Sequence, residues 1–366
     1  MAITFGRNAE AFARVLNSTI ADYSDEKWNN ILRERYVWGK LKSNGCFAKQ
    51  NGGDQYVWSA KYHRETLKSL QDMATITFSR INRHVQAALP PRGYHLEDQV
   101  TLIEKWMNTS DKAIIKIVDD AMSSLIDDMT DQLPDKFYVD GNAGAGTDVH
   151  GIESLLSYSG TITGNTKVGN CNDDYAQLST AFGQKGLWGS TAYPNGTGSP
   201  GYHYVSPLIL KNDVDYGATT NTFADSCLRI FRYAIIHQMR RKCKVDCFVL
   251  TPTAYMDVAN KLEEREQIRT VRGEPIKELE TGIGPTIKFE GVEIATEYGV
   301  PETDSQAETV SGYGLSFKHI KCRHWSPKMI FPLPIDMAIE TLSDRMLVLS
   351  FFNFFFDPQK VVKITT

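Results

Sequence analysis

The sequence predicts an α+β fold, and three stretches carry that prediction. Residues 110–133 place Ile114, Ile115, Val118, Ala121, Met122, Leu125, Ile126, Met129 and Leu133 at steps of three and four, one apolar stripe at helical period. Residues 222–264 read as helix, buried strand and helix in succession. From Phe289 to the C-terminus, strand signals dominate.

The long helix opens at a cap, Thr109 or Ser110, and Pro134 stops it. At the standard rise it would be about 36 Å long, enough to span a small domain. Phe137-Tyr138-Val139 then reads as a short strand before a glycine-rich turn at Gly141.

Ahead of that helix, residues 1–45 hold two amphipathic pieces. Ala11, Phe12, Val15, Leu16 and Ile20 form one stripe; Trp28, Ile31, Leu32 and Tyr36 form the other. Neither can bury its stripe alone, so the segment is expected to be an arm packed on the same chain or a neighbour. Residues 46–105 then alternate in strand fashion at 56–62 and 75–81, with a break at Pro90-Pro91. Arg64, Lys68, Arg80, Arg83, His84 and Arg92 make this the basic part of the molecule. A two-stranded hairpin is marginal alone, so a partner surface is expected.

Beyond the long helix, Gly151 to Leu156 reads as a short helix or turn. Residues 160–201 carry nine glycines among Tyr175, Leu178, Phe182, Leu187, Trp188 and Tyr193, a long loop too aromatic for a disordered linker. The helix at 222–242 buries Phe223, Cys227, Ile230, Phe231, Ala234, Ile235 and Met239, with Arg240, Arg241 and Lys242 favourably placed at its C-terminal end. Val245–Leu250 is the buried strand, and Thr251-Pro252 starts the next helix. Residues 268–287 read as a loop, 289–294 as a strand pair around a tight turn, and 315–320 as another strand. Strands at 337–341, 346–356 and 361–365 complete the chain.

Composition narrows the function. The chain has 366 residues, 42% of them hydrophobic, with 40 Lys+Arg against 44 Asp+Glu. Near-balanced charge argues against a protein specialised for gripping nucleic acid. Six scattered cysteines in a chain this long point to thiols in a reducing compartment. Arg7 and Glu10 come too early for a secretory leader, and the apolar run 346–356 is too short for a membrane helix, so a soluble protein is expected.

Motifs for chemistry are missing. Gly141, Gly144 and Gly146 are spaced the wrong way round for a dinucleotide fingerprint, and neither a phosphate loop nor a G-x-S-x-G elbow is present. Cys243, Cys247, Cys322 and His324 match no zinc spacing, and buried thiols are the better reading. Asp127, Asp128 and Asp131 read as a solvated helix face rather than a cation site, and His150 and His237 as core or surface residues. No cofactor, metal or catalytic residue is expected.

The order of these elements resembles the tailed-bacteriophage major capsid proteins of the HK97 fold. Residues 1–45 are similar to that family's N-terminal arm, and Asn51-Gly52-Gly53 followed by Tyr56-Val57-Trp58 to the start of its extended E-loop hairpin, 46–105. Residues 108–134 resemble its spine helix. The run CLRIFRYAIIHQMRRKCKVDCFVLTPTAYMDV resembles its helix–strand–TP–helix unit, Phe289-Glu290-Gly291-Val292 its F-x-G strand, and Phe351–Thr365 with Asp357-Pro358 its closing strand pair.

The resemblance implies five regions: the arm, 1–45; the E-loop, 46–105; the spine helix and first part of the P-domain, 106–145; a central axial A-domain with a glycine-rich insertion, 146–325; and the rest of the P-domain, 326–366. It implies a structural coat protein, not an enzyme. Made in the host bacterial cytoplasm, it would self-assemble into hexamers and pentamers of an icosahedral shell enclosing double-stranded DNA without sequence-specific binding. A separate scaffolding protein is implied, since no long N-terminal scaffold segment is seen, and portal and decoration proteins are further partners. Lys61 and Lys68 have no recognisable isopeptide partner, so cross-linking is not expected. Expected interface residues are Trp28, Tyr56, Trp58, Lys61, Tyr62, Arg64, Lys68, Phe78, Arg80, Arg83, Asp128 and Asp131. An encapsulin-like nanocompartment shell and an oligomeric enzyme with 160–201 as a lid are the alternatives.

Overall fold

The structure is a computed structural model. It describes residues 35–61, single positions and short runs between 65 and 80, then 82–107, 111–143, 146–156, 174–179, 207–211, 222–239, 244–263, 287–303, 309–333, 336–338 and 343–365. Helices and sheets are mixed, as the sequence predicts, and the described strands form two six-stranded sheets and two two-stranded ones.

The first sheet is built on one long strand, β15 (Ser343–Phe356). On one side it pairs antiparallel with β4 (Arg92–Thr101) over ten residue pairs, from Ser343↔Thr101 to Phe352↔Arg92. Its other side carries β12 (Ile320–His324), β13 (Phe331–Pro332) and β14 (Asp336–Ala338). The edge strand β1 (Phe47–Lys49) pairs parallel with β12. The second sheet has the order β7-β16-β11-β8-β10-β9, with β7 at Leu208–Lys211, β8 at Cys247–Leu250, β9 at Ile287–Phe289, β10 at Val292–Thr296, β11 at Val310–Leu315 and β16 at Val362–Thr365.

Alternation along β15 places Met346, Val348, Ser350 and Phe352 inside, and from Phe352 to Phe356 every residue is buried. That change from one buried face to two marks where the strand enters the core. Phe352, Phe354 and Phe356 meet Trp38 and Phe137 at ring-centroid separations of 5.1–6.5 Å, in mostly edge-on contacts.

Helix α1 (Tyr36–Ser43) supplies that tryptophan and also buries Tyr36, Val37 and Leu41. Part of the expected arm is therefore a piece of this chain's own core; residues 1–34, with Trp28, lie outside the described residues. A short helix α2 (Leu102–Met107) precedes α3 (Asp111–Gln132), the long amphipathic helix, which packs against β4 and β15. Val118, Met122, Leu125, Ile126 and Met129 are buried there in the expected stripe.

Helices α4 (Phe223–Gln238) and α5 (Pro252–Glu263) pack on each other and flank β8, as the central pattern predicts. The β9–β10 turn has Glu290 at φ 51° and Gly291 at φ 80°, the conformation a two-residue hairpin needs.

Four local expectations are corrected. The partner of β2 (Tyr56–Lys61) is β3 (His84–Leu89), not residues 75–81: alternation suggested a strand there, but the described positions 75, 76, 78 and 80 lie in none. Residues 137–139 form no strand, because Pro134 starts a 3-10 turn through Phe137 that carries straight on from Leu133. Residues 315–320 are a junction: β11 ends at Leu315, Phe317–His319 is a 3-10 turn, and β12 begins at Ile320. The helix at 222 ends at Gln238, and 240–243 lie outside the described residues. Within 160–201 only 174–179 is described, a small hairpin of β5 (Asp174–Tyr175) and β6 (Leu178–Ser179) with Tyr175 buried.

Candidate assembly surfaces

The hairpin β2–β3 has two parts with different physics. Its base belongs to the core. Ala87, Ala88 and Leu89 are buried, and the Ala88 amide donates to the Ala176 carbonyl of the β5–β6 turn. Tyr56 lies on Phe355 at 4.1 Å between ring centroids, Trp58 meets the same ring at 5.4 Å, and the Arg323 guanidinium covers Tyr56. Tyr56 and Trp58 thus spend one face on their own chain and stay only partly exposed.

Beyond Lys61 the burial ends. Every described residue from Glu65 to His84 is exposed. Leu67 is 103% exposed, Phe78 94%, Leu70 70% and Ile76 58%, so each of these apolar side chains is more than half open to solvent. Lys61, Lys68, Arg80 and Arg83 stand among them, Arg83 paired with Glu65. Tyr62 and Arg64 lie outside the described residues. The described part of this projection is thus apolar and cationic at once, and exposed.

The solvent face of α3 is acidic. Asp120, Asp128 and Asp131 are exposed, and the last turn carries no basic residue to complement the helix dipole. Sequence reasoning named Phe78 but missed Leu67, Leu70, Ile103 (66% exposed) and Met107 (78% exposed). Isolated apolar residues at no fixed period give no signal of which way they face.

Buried polar groups join the layers. Lys363 and Glu153 form an ion pair at 2.7 Å, and the Tyr313 hydroxyl donates to the other Glu153 oxygen at 2.6 Å. Glu293 accepts from Tyr36 at 2.8 Å and from Lys40 at 3.0 Å. Burial opposes its charge, yet those donors with the Lys40 and Lys288 charges hold it below the usual carboxylate range. Glu297 is pushed up to about 7 by burial, which outweighs the Val37 amide, the Tyr138 hydroxyl and Arg35. His150 is pushed down to about 4 by burial, with the Arg92 charge adding to it. Burial also raises the Cys46 thiol to about 11 and Cys247 and Cys322 further; all four described cysteines are buried thiols outside any disulfide. Among the described residues no three His, Cys, Asp or Glu side chains are grouped to hold a metal, and no helix is long and apolar enough to cross a membrane.

Among solved structures, the chain matches one described as the Cyanophage A-1(L) capsid asymmetric unit. The TM-score is 0.54 at 13% identity, over 90% of this chain and 92% of that one. The fold is that of a phage capsid protein. The capsid of an empty GTA particle aligns with a TM-score of 0.49 at 12% identity, covering 89% of this chain and 95% of that one. A structure from Mycobacterium phage Ogopogo aligns at 0.47 and 10%, covering 91% and 92%. No family model and no curated protein matches. Among the described residues, the exposed projection is apolar and cationic and the exposed face of α3 is acidic.

Proposed function

We propose that this chain is the major coat protein of a tailed phage, of HK97 type, with a structural role and no enzymatic one. In this reading 46–105 is the E-loop and α3 the spine helix. Residues 106–145 and 326–366 make up the P-domain, 146–325 the axial A-domain with its insertion, and 1–45 the arm. Subunits associate as hexamers and pentamers of a closed shell in the virion, enclosing double-stranded DNA without reading its sequence, assembled with a separate scaffolding protein and joined by portal and decoration proteins.

The observation that carries the reading is the hairpin. Its base is fixed in the core, while Leu67, Leu70, Ile76 and Phe78 beyond it are exposed. Burying side chains of that size contributes roughly 1.5–3 kcal/mol each, a gain that assembly would supply. Lys61, Lys68, Arg80 and Arg83 then meet carboxylates such as Asp128 and Asp131 of another subunit.

Negative-stain electron microscopy of the purified protein, alone and with its scaffold, tests this. Rings or closed shells are expected. A protein that stays monomeric under all assembly conditions overturns it.

A further inference from the structure

The start of α1 is capped from far along the chain. Arg35, its N-cap residue, makes no side-chain capping bond. Instead Glu297, just past the end of β10, accepts from the Val37 amide at 3.3 Å and from the Tyr138 hydroxyl at 3.1 Å, both through Oε2. Glu297 is only 5% exposed, and its Oε1 has no hydrogen-bond partner among the described residues. A buried carboxylate with one oxygen unsatisfied is costly when charged and much less so when neutral.

We propose that Glu297 is a proton-controlled latch for α1: neutral, it seats the helix on the second sheet; ionised, it loosens that seat.

The groups around it fix the sign. From the α1 side come Arg35, which favours the charge, and Lys40, engaged with Glu293. From the 3-10 turn come Asp135, which opposes the charge, and Tyr138, which donates to it. From the sheet come Glu293 on β10 and the buried Cys247 thiol on β8. One cation, itself shared with Asp135 at 3.8 Å, and two donors do not offset the burial. The carboxyl holds its proton to about pH 7 when α1 is seated; exposed to water it would release it near 4.5. Seating is therefore tightest below pH 4.5 and weakens as pH rises to about 7, levelling off above that.

Hydrogen exchange of the Val37–Leu41 amides, corrected for intrinsic rates, reads the latch directly in the full chain. Protection is expected to fall roughly 70-fold between pH 5 and pH 8, while the Phe352–Phe356 amides change far less. Glu297→Gln should remove the pH dependence, Glu293→Gln should keep it, and Tyr138→Phe should move its midpoint upward. The wild-type profile decides even where a variant folds poorly. Flat wild-type protection, a Glu297→Gln profile that tracks wild type, or an equal fall at Phe352–Phe356 overturns the proposal.

Discussion

The Lys363 ammonium lies 2.7 Å from the Glu153 carboxylate, 210 residues away in sequence, with both side chains almost fully buried. Tyr313, directly opposite Lys363 on β11, completes the group. The pair ties the last strand to the 3-10 turn at Ile152–Leu155.

Removing one partner should be far worse than removing both. Glu153→Ala leaves an uncompensated buried cation and should cost about 3–5 kcal/mol; Glu153→Leu with Lys363→Met should recover most of that. Urea unfolding midpoints of the three proteins give the comparison. Equal losses in the single and double variants would show that packing, not charge, is what the site needs.

Gly312 allows β11 to pack against β8. A Cβ there would sit 2.4 Å from the Val249 carbonyl oxygen and 2.6 Å from a Leu250 methyl carbon. Gly312→Ala is expected to destabilise by about 1–3 kcal/mol, the usual range for overpacking, with loss of soluble protein as the first sign. Gly146→Ala, where no atom lies within 4 Å but φ is +66°, shows the cost of backbone strain without overpacking.

Acid should unfold the protein partly through His150. Its folded value, about 4, lies below the ordinary 6.5, so its contribution is full above pH 6.5 and is lost as pH falls towards 4. The loss amounts to roughly 3 kcal/mol. Glu297 has the opposite sign, gaining as pH falls from about 7 to 4.5, so the two oppose each other in wild type. Stability of Glu297→Gln measured from pH 7 to pH 4 should therefore fall more steeply than wild type. Equal slopes would contradict the assignment.

Replacing residues 62–83 by a short Asn-Gly turn should leave the subunit folded, since Lys61 and His84 already face each other in the hairpin. Circular dichroism and the melting temperature should change little while shells disappear. A subunit that unfolds would show that the projection belongs to its own core.

Asp128→Asn and Asp131→Asn relieve anions near the C-terminal end of α3, which should stabilise the isolated subunit by roughly 0.3–1 kcal/mol each. If these carboxylates face a neighbour's Lys61, Lys68, Arg80 or Arg83, the same changes should weaken shells, most clearly at low salt. Shells as stable as wild type would leave the two aspartates merely solvated.

Local pattern determined much of this protein. The α3 stripe, the helix–strand–helix unit around β8, the Glu290-Gly291 turn and the closing strands were all legible. Each follows from periodicity, a proline or a glycine within a few residues. Tertiary structure alone decided which surfaces those elements share. Alternation at 75–81 looked like a strand, but a strand needs a partner, and β2 found His84–Leu89 instead. Phe355 covering Tyr56 and Trp58, Glu297 capping α1 and Lys363 reaching Glu153 each join residues more than two hundred positions apart. Period and propensity describe one element at a time; these contacts depend on how two sheets and α3 settle together, so no single stretch of sequence contains them.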